Sequence, residues 1–249
     1  MRRIKTGIRG FDALIKGGIP ENSSLLVCGS PGTGKSIMAL EYIYHGAEQN
    51  EPGLYVTIEE KPEKLKDQAL QFGWNFSDLE KKKKVKFLKI PVDEVNVDIF
   101  SLIEKGAKEI KAKRIVIDSL SILAINAPMY RLPIKVAAKD SFVKTDIQPS
   151  SLSGSEEIQQ FIYIFVSRVN DLDATVLFIA DSPQIENYLT RDTVSEFACD
   201  GVVQLKTMTM GKTFYRTFEI KKMRNTPVEP GIHIMEFDNK GIILKPFEY

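Results

Sequence analysis

The chain has 249 residues, 43% of them hydrophobic and 27% charged, enough for a substantial core in one large domain or two small ones. Its 34 basic and 33 acidic residues leave a net charge of +1, so no global field draws it toward nucleic acid or an anionic membrane. No apolar run is long enough to span a bilayer, and the opening MRRIKTGIRG has charge without an apolar stretch behind it. The expectation is a cytoplasmic protein with no membrane association, its two cysteines, Cys28 and Cys199, reduced and buried.

In chain order, SSLLVCG (residues 23–29) is a short apolar run ending in glycine, a strand, and KSIMALEYIYHGAEQN after it has apolar residues at helical spacing. GLYVTIEE predicts a second strand, KPEKLKDQALQFGW a helix opened by a proline, and KVKFLKI a third strand. The lysines at 81–84 read as a solvated turn after a helix. VDIFSLIEKGAKEIKAK is helical, and RIVIDSLSIL is a buried strand with its following turn. GSEEIQQFIYIFVSRVND predicts a long helix and ATVLFIAD a further buried strand. Buried strands alternating with helices give an α/β fold, a mostly parallel central sheet with helices on both faces. The last fifty or so residues differ: DGVVQLKTM, KTFYRTFEIKKM, GIHIMEFD and GIILKPF are strands joined by short turns, an antiparallel β-meander extending one edge of the core. Residues 126–155 carry three prolines and no sustained period, and are too long for an ordinary connection.

GSPGTGKS, from Gly29 through Ser30, Pro31, Gly32, Thr33, Gly34 and Lys35 to Ser36, fits G-x-x-x-x-G-K-[ST] between a strand and a helix. Gly32 and Gly34 let the backbone curl so that successive N–H groups converge on phosphate oxygens, and the helix N-terminus, reaching Ile37, adds partial positive charge. Lys35 is placed to reach the β- and γ-phosphates of a nucleotide, and Ser36 to offer its hydroxyl to Mg²⁺. Asp118, directly after the apolar RIVI, supplies the second metal anchor, through a bound water, at the carboxyl end of a strand. Glu59 and Glu60 end the strand GLYVTIEE, where a carboxylate can activate the attacking water; alternation sends them to opposite sides, so one faces the phosphate and the other serves the next helix. Near the C-terminus, alternation through EIKKMRNTP places Ile220, Lys222 and Arg224 on one side and Glu219, Lys221 and Met223 on the other.

These motifs together resemble the RecA superfamily of P-loop ATPases, and within it the KaiC-like group. IKTGIRGFDALIKGGIP is similar to that group's opening, GLYVTIEE to its catalytic-glutamate strand, IDSLSIL to its Walker B strand, QIENYLTRDTVSEFACDGVVQL to the segment after its last parallel strand, KKMRNTP to its K-[ML]-R-G-T signature and GIILKPF to its closing strand. The resemblance runs over residues 1–249 as one domain, with 127–150 as an insertion or long connection. It implies a homo-oligomeric ring, a hexamer, that binds ATP at each subunit interface. It implies Glu59 as general base with Glu60 in support. It also implies that Lys222 and Arg224 reach the γ-phosphate of a neighbouring subunit, where a trans cation stabilises charge on the transferred group.

The chain departs from the pattern in places. The signature's glycine is Asn225, which tolerates left-handed backbone, and a histidine common just beyond it is Val228. Where RecA recombinases carry a serine-glutamine pair, this chain has Asp181-Ser182. Counting back from Asp200 to the clock protein's phosphorylation sites gives Glu196 and Phe197, neither an acceptor, so plain hydrolysis is expected over autophosphorylation, with Thr193 and Ser195 the nearest hydroxyls. Two further functions are weighed beside the ATPase. One is single-stranded nucleic-acid binding through Tyr130, Arg131, Lys135, Lys139, Phe142 and Lys144, its bland alternative a solvated, partly helical excursion. The other is a nucleotide-switched scaffold for a protein partner.

Overall fold

The structure, a computed structural model, describes residues 1–92, 97–131, 133–138, 141–146, 154–183, 188–211 and 213–247. Its centre is a nine-stranded sheet. In chain order the strands are β1 (Ser24–Gly29), β2 (Gly53–Thr57), β3 (Val85–Lys89), β4 (Arg114–Asp118), β5 (Thr175–Asp181), β6 (Gly201–Met210), β7 (Thr213–Met223), β8 (Ile232–Asp238) and β9 (Gly241–Pro246). In space they run β9-β8-β7-β6-β1-β5-β4-β2-β3. From β3 across to β6 every neighbour is parallel, and β6 through β9 are antiparallel. The expected parallel core with a C-terminal meander on one edge is therefore the observed fold.

Period-two alternation sorts the side chains into two cores. Leu25 and Val27 of β1 and Tyr55 of β2 face one cluster, which includes Met38, Leu40, Tyr42 and Ile43 of helix α1 (Lys35–Glu48). It extends to helices α2 (Pro62–Leu70) and α3 (Phe76–Lys81). Leu26, Cys28, Leu54, Val56, Ile115 and Ile117 face the other cluster, covered by α4 (Ile99–Ile110), α5 (Leu120–Ile125) and α6 (Gly154–Asn170). Both cysteines are free and buried, as expected, and burial pushes the Cys28 thiol up to about 11. A fully buried Arg114 ties the start of β4 to the first layer: its guanidinium donates to Glu51 Oε2 at 2.9 and 2.6 Å and to Tyr42 O at 2.7 Å. Among the described residues no helix is long and apolar enough to cross a membrane.

The segment after α5 differs from the excursion read in the sequence. Pro133–Ala138 and Ser141–Asp146 pair as an antiparallel hairpin, a two-stranded sheet apart from the central one, so the partly helical reading is wrong here. Proline and serine hide the strand period because pairing, not sequence periodicity, defines a short ribbon. Arg131, Lys135, Phe142 and Lys144 lie on strand backbone, whereas Lys139 falls outside the described residues. Tyr130 is 7% exposed and its hydroxyl donates to Pro91 O at 3.2 Å, so its ring belongs to the core and not to a base-stacking groove.

Candidate nucleotide-binding site

The loop between β1 and α1 sits at the carboxyl end of the parallel strands, where open α/β sheets collect ligands. Gly32 and Gly34 have φ of 78° and 102°, the left-handed region that glycine enters without strain. A Cβ on Gly34 would also lie 2.6 Å from Phe237 Cζ, so this position excludes any larger residue. Thr33 Oγ1 donates to Ser30 O at 2.8 Å, closing the loop on itself. Lys35 stands in the first turn of α1, where the opening N–H groups have no intrahelical acceptor. Its Nζ meets Gly29 O at 2.8 Å, Ser30 O at 3.0 Å and Asp181 Oδ1 at 3.0 Å.

Ser36 and Asp118 come together: Ser36 Oγ donates to Asp118 Oδ2 at 3.0 Å. Tyr55 Oη donates to the same oxygen at 2.7 Å. Burial raises the Asp118 carboxyl above its usual range, opposed by the two donated hydrogen bonds and the positive charge of Lys35. Burial, and then the neighbouring carboxylate, raise Tyr55 well above the ordinary phenol range, so it remains a donor. Sequence reasoning assigned no role to Tyr55 or Asp181. The signal for Tyr55 was a hydroxyl inside a fully buried strand, since a buried phenol needs a partner. For Asp181 it was a carboxylate ending an apolar run, in register with Gly29.

The two glutamates are not on a strand, which corrects the alternation argument. β2 stops at Thr57, because its ladder ends where Ile58 N donates to Asp118 O and Ile90 N to Thr57 O, and residues 58–60 form a bend. Thr57 Oγ1 donates to Glu60 O at 2.8 Å, and Lys89 Nζ donates to Ile58 O. Glu60 Oε1 pairs with Lys64 Nζ at 2.8 Å, at the start of α2. Glu59 is exposed and makes no hydrogen bond or ion pair among the described residues.

The stretch ending in Lys222 and Arg224 also needs correction. Val202 pairs with Lys222 but Val203 with Ile220, so Lys221 is the extra residue of a β-bulge. The bulge turns Ile220 toward the core cluster of Val203 and leaves Lys222 opposite Val202, in the other layer. Lys222 Nζ donates to Glu196 O at 2.8 Å, and Arg224 donates to Phe197 O at 3.2 Å and Asp200 Oδ1 at 3.3 Å, so both cations lie against helix α7 (Ser195–Ala198) and its flank. Burial, then the charge of Arg224, holds the Lys222 ammonium below the ordinary lysine range. Asn225 adopts φ 55°, so it fills the left-handed place expected of it. Along β6, Leu205 is opposite Gly29 of the loop, whereas Gly201 is opposite Met223. The cations thus sit at the amino end of the parallel strands, roughly 13 Å of strand from the loop at about 3.3 Å per residue. A different cation, Arg216 of β7, stands beside the loop: its Nε donates to Gly32 O at 3.2 Å and its guanidinium lies 5.1 Å from the Phe237 ring centre. Ser195, weighed as an off-register acceptor, is buried and donates to Asp192 Oδ2 at 2.8 Å; Thr193 Oγ1 accepts from Gln159 at 3.0 Å.

Known proteins are similar to this chain in sequence and fold. The crystal structure of a KaiC-like protein from Pyrococcus horikoshii OT3 superposes with a TM-score of 0.80 and 30% identity, covering 98% of this chain and 99% of that one. A UPF0273 protein of Thermotoga maritima is 30% identical over 265 residues, covering 100% of this chain and 98% of its own length. The circadian clock oscillator protein KaiC of Picosynechococcus sp. PCC 7002 is 30% identical over 99% of this chain, which spans 45% of that longer protein. The family model for the KaiC ATPase matches residues 4–139 and 140–249. The chain belongs to the KaiC-like family of RecA-superfamily P-loop ATPases.

Proposed function

We propose that this KaiC-like domain binds ATP with Mg²⁺ at Gly29–Ile37 and hydrolyses it in a ring of identical chains. The observation that carries the reading is the meeting of Lys35, Ser36 and Asp118 at one strand end, 3.0 Å apart in the case of Ser36 and Asp118. The donor set suits Mg²⁺: a hydroxyl and a carboxylate are hard oxygens, and a buried carboxylate of raised pKa is relieved by a nearby cation. Bound there with ATP, Mg²⁺ would neutralise charge on the β- and γ-phosphates.

The chain's own groups supply the rest. The loop amides and the start of α1 hold the phosphates, and Lys35 draws the terminal one into place. Glu59, which has no hydrogen-bond or ion-pair partner among the described residues, takes the proton of the attacking water as general base, while Glu60 fixes the bend through Lys64. Arg216 and Phe237, a cation beside an aromatic ring at the mouth of the loop, offer a wall for the base. Lys222 and Arg224 stabilise charge on a neighbour's γ-phosphate. Their distance from this chain's own loop supports that division, because a heterologous interface joins different patches of neighbouring chains.

Light scattering tests the reading directly. Addition of ATP and Mg²⁺ should shift the protein to a closed oligomer, six copies in this proposal, that releases phosphate. A chain that stays monomeric at working concentration yet hydrolyses ATP at full rate removes the trans part of the proposal.

A further inference from the structure

We propose that Asp181 is a positioning residue that limits nucleotide affinity by competing with phosphate for Lys35. The proposal rests on the reading of Gly29–Ile37 as a phosphate cradle. An ammonium has three hydrogens, and on Lys35 each meets an oxygen of the chain: Gly29 O, Ser30 O and Asp181 Oδ1. A phosphate oxygen reaches Nζ only by displacing one of them. The two carbonyls belong to the loop that wraps the phosphate. The carboxylate comes from a different strand and carries a full charge. It is both the strongest competitor and a like charge left beside the incoming anion.

Asp181 is fixed where it stands. Its backbone lies opposite Gly29 in the β5–β1 ladder, and its N–H donates to Ser121 Oγ at 2.7 Å. The next residue donates its N–H to Gly29 O at 3.2 Å and its hydroxyl to Leu189 O at 2.8 Å. The pair is also shielded from water, with the side chains of Lys35 and Asp181 10% and 26% exposed, so salt screens it weakly. A ligand that needs Lys35 released binds with an affinity reduced by the fraction of chains in which it is released. The acid thus sets a ceiling on affinity and helps the site let go of product.

Removing the charge while keeping the shape separates this role from a structural one. Asp181→Asn should bind Mg²⁺-free ADP about tenfold tighter by isothermal titration calorimetry, because the released fraction rises. The same variant should melt at a lower temperature without nucleotide, since Lys35 loses its buried counter-ion. Its KM for ATP should fall while kcat does not rise. Asp181→Glu, which keeps the charge, should stay near the wild type, and Asp181→Ser carries the test if the asparagine variant does not fold. Equal or weaker ADP binding in the uncharged variants, with wild-type binding intact, overturns the proposal alone. Loss confined to Mg²⁺-dependent binding also overturns it, assigning Asp181 to the metal's surroundings instead. A wild-type protein that binds no ADP removes the phosphate cradle itself and the proposal with it.

Discussion

The two ends of the central sheet treat charge in opposite ways. At the carboxyl end, Lys35 and Asp181 are 10% and 26% exposed, and Lys35, Asp181 and Asp118 each have partners inside the same chain. At the amino end, Arg224 is 55% exposed against an Asp200 that is 30% exposed, and Lys222 is held by a backbone carbonyl. Burial, and after it the charge of Arg224, lowers the Lys222 ammonium below the ordinary lysine range. One end holds Lys35, Asp181 and Asp118 in a half-buried cluster, paired within the chain. The other holds positive charge at or near the surface, with Arg224 55% exposed. At the amino end the bulge at Lys221 sends Ile220 toward the core and leaves Lys222 opposite Val202, in the other layer.

The sharpest way to break that contrast is to remove the exposed cation. Arg224→Ala should lower phosphate release about 10³-fold, the low end of what a trans arginine supplies. Its effect on melting should be small, since exposed ion pairs contribute about 0–1 kcal/mol. Mixing it with Lys35→Ala chains should restore part of the activity, because some interfaces then join an intact loop to an intact arginine. Stable mixed rings without rescue would place Arg224 outside the site. The next effect in size is at the bend after β2. Glu59→Gln should lower turnover about 10²-fold, within the range for a lost general base, and leave ATP affinity unchanged. Glu60→Gln should cost less, since that side chain is already committed to Lys64. Equal losses at the two positions would mean the bend, not a single base, is what hydrolysis needs.

Much of this was legible in the chain. The strands of the central sheet announced themselves through apolar runs and alternation, and the loop motif through its glycines, because those signals are local. What escaped depends on contacts between distant segments. The bulge at Lys221 exists only in register with Val202 and Val203, so strict alternation misplaced Ile220 relative to Lys222. β2 ends at Thr57 because its neighbours' ladders end there, which no property of YVTIEE reveals. Helices α3 and α5, six residues each, are too short to show a period and rest on side-chain caps from Asn75 and Ser119. Tyr55, Asp181 and Arg216 joined the site through partners 63, 146 and 184 positions away. Here 146 is the interval from Lys35 to Asp181.

The smallest effect tests the carboxyl end by pH. Burial raises the Asp118 carboxyl, so the folded chain keeps its proton at a pH where the unfolded chain has already lost it. Through that window the folded state binds more protons, and stability falls as pH rises. The contribution is fully present in acid, below the ordinary carboxylate range, and is lost as pH climbs through the raised value. Asp118→Asn removes the ionisable group while its amide oxygen still accepts from Ser36 and Tyr55. Without nucleotide or divalent cation, the variant should therefore melt above the wild type, by about 2–4 °C per kcal/mol in a chain of this size. The gap should widen as pH rises and close in acid. If wild type instead melts higher at every pH above the carboxylate range, the hydrogen bonds from Ser36 and Tyr55 outweigh the burial of Asp118. The carboxyl end would then be a charge site stable on its own, with less need of a cation than its burial implies.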